Sequence, residues 1–228
     1  KARYWHSLRA LCRLPLPRPA EVVEIGGGQL AMLMHMMFGD RGTVVDVSET
    51  FREGVVQKGL GFARCDLLHD DLSEHAVYDL AVMCEVIEHM PVPPYQVLSK
   101  LHRWLKPGGA LFVTTPNLYR LRNLVRLAAN ARVFDRFLIP RPGEAIGHPL
   151  EYGPAHLRWQ LEEAGFECVR VERRQLDNGG GSWQARVGRV LVSPLMLRPA
   201  WREKLVAVAW KPGGGEPAAS PETVGAVG

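Results

Sequence analysis

The residues best placed by type and spacing to do chemistry are Glu85, Glu88 and His89, which follow the apolar run Tyr78–Cys84. On a helix, positions i, i+3 and i+4 share one face. Two carboxylates and an imidazole could then converge on a divalent cation, with His148 as a later ligand. An imidazole also titrates near working pH, so His148 or His89 could take a proton from a hydroxyl. These two histidines are the candidate catalytic residues, and no metal ligand is assigned.

A second kind of chemistry stands earlier, in Glu21-Val22-Val23-Glu24-Ile25-Gly26-Gly27-Gly28-Gln29-Leu30. A β-branched apolar run reads as a buried strand. Three glycines end it, and the apolar run Leu30–Phe38 reads as a buried helix. Strand, glycine turn and helix open a nucleotide-binding βαβ unit, whose backbone can approach a ligand closely. Gly26, Gly28 and Ala31 fit the dinucleotide spacing, and Asp46 lies 20 residues past Gly26. Glu24 argues the other way, since a carboxylate there repels a pyrophosphate and suits a cation. S-adenosylmethionine (SAM) carries an ammonium and a sulfonium and no phosphate. Further acids stand near strand ends, Asp46 where ribose hydroxyls are commonly received and Asp66 where an adenine amino group could donate.

These groups need elements to position them. Strands are expected at Val22–Ile25, Thr43–Val47, Gly61–Asp66, Tyr78–Cys84, Ala110–Thr115, Phe166–Val171 and Leu205–Trp210. Helices are expected over Lys1–Leu14, Leu30–Phe38 and Tyr95–Leu105, and from Pro154 to a Gly165 cap. Lys106-Pro107-Gly108-Gly109 is expected to stop the third helix. Met32, Met34, Met36 and Met37 read as core packing. Residues 1–20 form a leading helix and a proline-rich linker, either a cover for the ligand site or a solvated arm. Residues 21–211 form the main domain, with a basic amphipathic insertion at about 117–150. There Arg120, Arg122, Arg126, Arg132, Arg136 and Arg141 stand against Asp135 and Glu144. A lid over an anionic acceptor or a peripheral membrane contact is one expectation for it, and an ordinary solvated helix is the other. Asn178–Ser182 reads as a glycine-rich break, Val187–Leu197 as helix or strand, and residues 212–228 as a tail without fixed structure.

The chain of 228 residues is long enough for one domain with a large core. Its net charge of +4 permits anionic partners without requiring nucleic acid. Cys12, Cys65, Cys84 and Cys168 form no Cys-x-x-Cys pair, which argues against a zinc ribbon and suits a reducing cytoplasm. No apolar run reaches the length of a spanning helix. The chain opens at Lys1 rather than at a methionine, which leaves room for residues before it, and nothing here has the make-up of a leader.

Glu24-Ile-Gly-Gly-Gly, Asp46, Asp66, Glu85-Val-Ile-Glu88-His89, Lys106-Pro-Gly-Gly109 and Thr115-Pro-Asn117 together resemble the class I SAM-dependent methyltransferases. Within these they look most like the group similar to the ubiquinone-biosynthesis O-methyltransferases. His148-Pro-Leu-Glu-Tyr152 resembles methyltransferases associated with glycan and lipopolysaccharide assembly. The resemblance implies a Rossmann-like, seven-stranded, mostly parallel sheet, its last strand antiparallel beside the fifth. It implies SAM as cofactor, with Glu24, Gly26 and Gly28 around the methionyl part and Asp46 on the ribose. Asp66 and Leu67 would meet the adenine, and Cys84 and Glu85 would line the site. The reaction it implies is O-methylation of a small-molecule, sugar or lipid-linked glycan hydroxyl. Glu-x-x-Glu-His with a later histidine also resembles the magnesium-dependent enzymes that methylate the ribose 2′-hydroxyl of RNA 3′ ends. A nicotinamide-dependent oxidoreductase and a noncatalytic SAM-fold module are the remaining alternatives. A short-chain dehydrogenase would need Tyr-x-x-x-Lys, and no tyrosine here has lysine four residues later. The third glycine of the family's Gly-x-Gly-x-Gly is Leu30 here.

Overall fold

The computed structural model describes residues 2–73, 75–135, 147–175 and 198–213. Within them the sheet has seven strands in the order β3-β2-β1-β4-β5-β7-β6. The strands are β1 (Glu21–Ile25), β2 (Arg41–Asp46), β3 (Gly61–Arg64), β4 (Tyr78–Cys84), β5 (Leu105–Pro116), β6 (Glu167–Arg174) and β7 (Lys204–Trp210). The first five run parallel, and β7 lies antiparallel between β5 and β6. This is the class I methyltransferase architecture. The helices are α1 (Ala2–Leu11), α2 (Gln29–Phe38), α3 (Arg52–Val56), α4 (Pro94–Trp104), α5 (Leu121–Ala128) and α6 (Pro154–Glu163).

The two larger apolar cores follow from the alternation of side chains along each strand. Val23, Ile25, Ala81 and Met83 face one way and pack with Val97, Leu98 and Leu101 of α4 and Leu157 and Leu161 of α6. Val22, Leu80, Val82 and Phe112 face the other way and meet Leu30 and Met34 of α2. Leu8 and Leu11 of α1 complete that second layer, so the leading helix is packed rather than solvated. The proline linker after it is tied down by Asp40, which accepts from the Ala20 amide and pairs with Arg18.

Three expectations are corrected. Of the α2 methionines, Met34 is buried, but Met36 and Met37 are exposed because α2 covers the sheet with one face only. Strand β5 begins at Leu105, not Ala110. Tyr78 pairs with Leu105 and Leu80 with Ala110, so Lys106–Gly109 is surplus chain that bulges out of the strand. Gly108 adopts the left-handed conformation this bulge requires (φ 76°). In α5 the buried residue is polar, Asn123, while Val125 and Leu127 are exposed. Arg136, Arg141, Asn178–Ser182, Val187–Leu197 and most of the expected tail lie outside the described residues.

Candidate functional site

Open α/β sheets bind ligands beyond the carboxyl ends of their parallel strands. Strand β1 ends in Gly26, Gly27 and Gly28, all left-handed at φ 70°, 85° and 76°. Such a run is readily accessible only to glycine. The glycines differ in what surrounds them. A Cβ on Gly28 would come within 2.5 Å of Val44, whereas one on Gly26 would meet only Val86, at 3.6 Å. Gly28 therefore packs the turn against β2, and Gly26 presents backbone. Leu30 is fully buried in the core shared with α1, so its side chain does not enter the cleft.

Glu24 is buried, and its Oε2 accepts from the Ala31 amide at 2.6 Å. It thus caps the first turn of α2 from below. Burial pushes its pKa up to about 7, against the opposing pull of the turn's amides. Asp46 is half-buried at the end of β2, and its Oδ1 accepts from the Ser48 amide at 2.8 Å. Asp66, two residues past β3, is arranged the same way, accepting from the Leu68 amide at 3.0 Å. Leu67 beside it is buried in the first core.

Beyond β4 the geometry changes. Glu85 is left-handed (φ 57°), which is rare for a residue with a long side chain and is typical of strained functional turns. Its carboxylate accepts from Thr114 at 3.1 Å and pairs with Lys204 of β7. A 3₁₀ turn over Ile87–His89 follows, and α4 begins only at Pro94. The expected shared helical face of Glu85, Glu88 and His89 is therefore not formed, and Glu85 points to the sheet.

Glu88 and His89 are instead joined by His148. Glu88 is 1% exposed. Its Oε2 accepts from Thr115 at 3.0 Å, and among the described residues its buried Oε1 has no hydrogen-bond partner. Burial, reinforced by the Glu85 charge, pushes its pKa up to about 7. The rings of His89 and His148 meet edge to face, centroids 4.7 Å apart. His89 Nδ1 donates to the Gly147 carbonyl at 3.0 Å, and His148 Nδ1 faces Glu151 Oε1 at 3.5 Å.

Glu151 was not singled out in the sequence, yet it organises this corner. It is 2% exposed and accepts from Arg120 and, at 2.6 Å, from Asn123. Arg120, expected to face an acceptor or headgroup, is thus buried in an ion pair. The preceding turn is fixed by Asn117, whose side chain donates to the carbonyls of Ala200 and Arg202. Tyr152, also buried, donates to the Ile87 carbonyl and holds the 3₁₀ turn from behind. The only signal for Glu151 and Tyr152 in the sequence was their neighbourhood, His148–Tyr152.

Residues 2–171 match the model of the methyltransferase domain family. The chain belongs to that family. Solved structures agree on the fold. A SAM-dependent methyltransferase from Mesorhizobium loti superposes with a TM-score of 0.64 at 20% identity, covering 92% of this chain and 98% of that one. A possible histamine N-methyltransferase from Thermotoga maritima gives 0.61 at 18% identity, with 92% and 89% covered. Phosphoethanolamine N-methyltransferase 2 of Haemonchus contortus, in complex with SAM, gives 0.61 at 18% identity, with 91% and 52% covered. No curated protein sequence matches the chain significantly.

The protein is therefore a SAM-dependent methyltransferase of class I, and SAM is its cofactor. Family membership sets aside the nicotinamide reading. The strand-end residues fit a cationic nucleoside: a left-handed glycine turn, then carboxylates past β2 and β3 whose other oxygen can still accept. Among the described residues, no helix is long and apolar enough to cross a membrane.

Proposed function

We propose that the methyltransferase acts on a hydroxyl oxygen, of a small-molecule, sugar or lipid-linked glycan acceptor. The observation that carries this reading is the contact of His89 with His148, two imidazoles brought ring to ring beyond β4. Bound SAM supplies a methyl group on a sulfonium, already a good leaving group. What this chain must add is alignment and a destination for the hydroxyl proton. Glu24, Gly26, Gly28, Asp46, Asp66, Leu67, Cys84 and Glu85 hold the cofactor in this reading. Asp46 accepts the ribose hydroxyls through its second oxygen, and Glu24 keeps the glycine turn in place from beneath. His148 takes the proton, because Glu151 behind it stabilises the imidazolium that results. His89 orients the acceptor beside it.

Helix α5 supports a lipid-linked or surface-bound acceptor. It exposes Val125 and Leu127 together with Arg122 and Arg126, the make-up of a helix that rests on an anionic interface.

The test is transfer of tritiated methyl from SAM to fractionated cell extract. Label is expected in a glycan or lipid-linked fraction, as an ether that survives base. Label in RNA would favour the ribose alternative, and label on amine nitrogen would overturn the hydroxyl reading. His148→Ala is expected to slow transfer by about 10²–10⁴-fold if it serves as the base.

A further inference from the structure

His89 and His148 come from segments far apart in sequence, and one dipeptide ties them together. The Gly147 carbonyl accepts from His89 Nδ1 at 3.0 Å, and the next residue, His148, carries the second ring. Any movement of Gly147 and His148 therefore reaches both imidazoles. Neither residue lies in a helix or strand that would fix it. What holds them is Asp135, thirteen residues earlier in the chain. Its Oδ2 accepts from the His148 amide at 2.9 Å, and its own amide donates to the His148 carbonyl at 3.1 Å. The two bonds clasp one residue by both polar groups of its backbone. Gly147 packs tightly against this clasp. A Cβ on it would stand 2.8 Å from both Cβ and Oδ2 of Asp135.

The side chain of His148 is held separately, by the buried Glu151. Asp135 is exposed, so its hydrogen bonds compete with water and add little to stability. The His148 amide above all, with the charges of Arg132 and Arg126, keeps its carboxyl below the ordinary range. It is thus an ionised acceptor wherever an imidazole can act as a base.

We propose that Asp135 is a positioning residue, which sets the backbone of Gly147 and His148 and through it the relation of the two imidazoles. It works through these neighbours and not on the reacting atoms. Its consequence for methyl transfer rests on the reading of His148 as the base, whereas the positioning itself does not. A displacement of about 1 Å in a reacting group costs as much as a hundredfold in rate. A surface contact of small energy then matters more to turnover than to folding.

The test compares Asp135→Ala with Asp135→Asn in the full chain. Asparagine keeps an oxygen for the His148 amide, and alanine does not. Cross-relaxation between the His89 and His148 rings is read by NMR in the SAM-bound chain, and SAM affinity by calorimetry. The initial rate of tritiated-methyl transfer is read at saturating glycan or lipid-linked fraction of cell extract. In Asp135→Ala the ring-to-ring signal should be lost and the saturating rate should fall by about ten- to a hundredfold. SAM affinity and the thermal midpoint should hardly change. Asp135→Asn should keep the signal and most of the rate. A retained signal in Asp135→Ala would overturn the positioning role, as would a parallel fall of SAM affinity and thermal midpoint in both variants. Loss of the signal with an undiminished rate would sustain the positioning and overturn the reading of His148 as the base. Hydrogen exchange in the wild-type chain needs no variant to fold. The His148 amide should exchange more slowly than in the unfolded chain, and equal rates would remove the clasp.

Discussion

The two halves of the strand-end surface are built differently. Past β2 and β3, each acid is held by an amide two residues ahead of it, Asp46 by Ser48 and Asp66 by Leu68. Past β4 the contacts are long-range. Glu85 pairs with Lys204 across 119 residues, and His89 with Gly147 across 58. The first half is a set of local turns that each strand brings with it. The second exists only when β5, β7, α5 and the His148 segment are all in place. This predicts that substitutions at Asp46 and Asp66 change cofactor affinity with little effect on the fold, whereas those at Arg120 and Glu151 change folding and the acceptor site.

The largest effect expected is on the second side. Arg120→Met leaves Glu151 buried against Asn123 and, at 3.5 Å, His148, without the guanidinium of its ion pair. Loss of one partner of a buried pair costs about 3–5 kcal/mol. Urea unfolding should show this, with SAM affinity of the folded fraction little changed. A loss below about 1 kcal/mol would mean that the corner is not held by this pair.

Glu24 tests the base of the first side through pH. Its folded pKa is raised from 4.5 to about 7, so the folded state keeps a proton that the unfolded chain releases. Stability from this group is therefore full below about pH 4.5 and is lost as pH rises through 7. The shift corresponds to about 3 kcal/mol across that window. Glu24→Gln keeps an acceptor for the Ala31 amide and cannot ionise. Wild type should lose about that much more stability than the variant between pH 4.5 and 7, and parallel pH profiles would remove the assignment.

Asp46 should matter to the cofactor and little to the fold, since its carboxylate accepts from the Ser48 amide in an exposed turn. Asp46→Ala is expected to weaken SAM binding by about 1.5–3 kcal/mol, the loss of hydrogen bonds to a charged acceptor. Wild-type affinity by calorimetry would break the proposed ribose contact.

The same division explains what was legible in the sequence. Strand β4 was read to the residue, because the apolar run Leu80–Cys84 between Asp79 and Glu85 admits few alternatives. The strand-end positions of Asp46 and Asp66 were legible because their setting is local. Glu85 was noticed for its carboxylate, but its left-handed backbone and its partner Lys204 were not visible in a linear pattern. Pro91, Pro93 and Pro94 follow His89 closely in the chain, and only a 3₁₀ turn forms before them. Arg120 was misread for a related reason. An arginine in a basic stretch looks solvated until Glu151, 31 residues on, is folded against it.

The smallest effect separates two glycines that the sequence treats alike. Gly26 and Gly28 both have positive φ, so alanine at either is strained by about 1–2 kcal/mol. Only at Gly28 does the added methyl also collide, at 2.5 Å from Val44 in the wall of β2. Relief requires β2 or α2 to shift, and such overpacking typically costs about 1–3 kcal/mol more. Gly28→Ala should therefore be the less stable of the two in thermal unfolding, by roughly that difference. Gly26→Ala has room for its methyl and so should fold better. Its methyl would stand where the backbone is open to the cofactor, so its loss should appear mainly in SAM affinity. Equal destabilisation with equal loss of SAM binding would show that strain alone governs this turn, and that its packing and ligand-facing glycines have no separate roles.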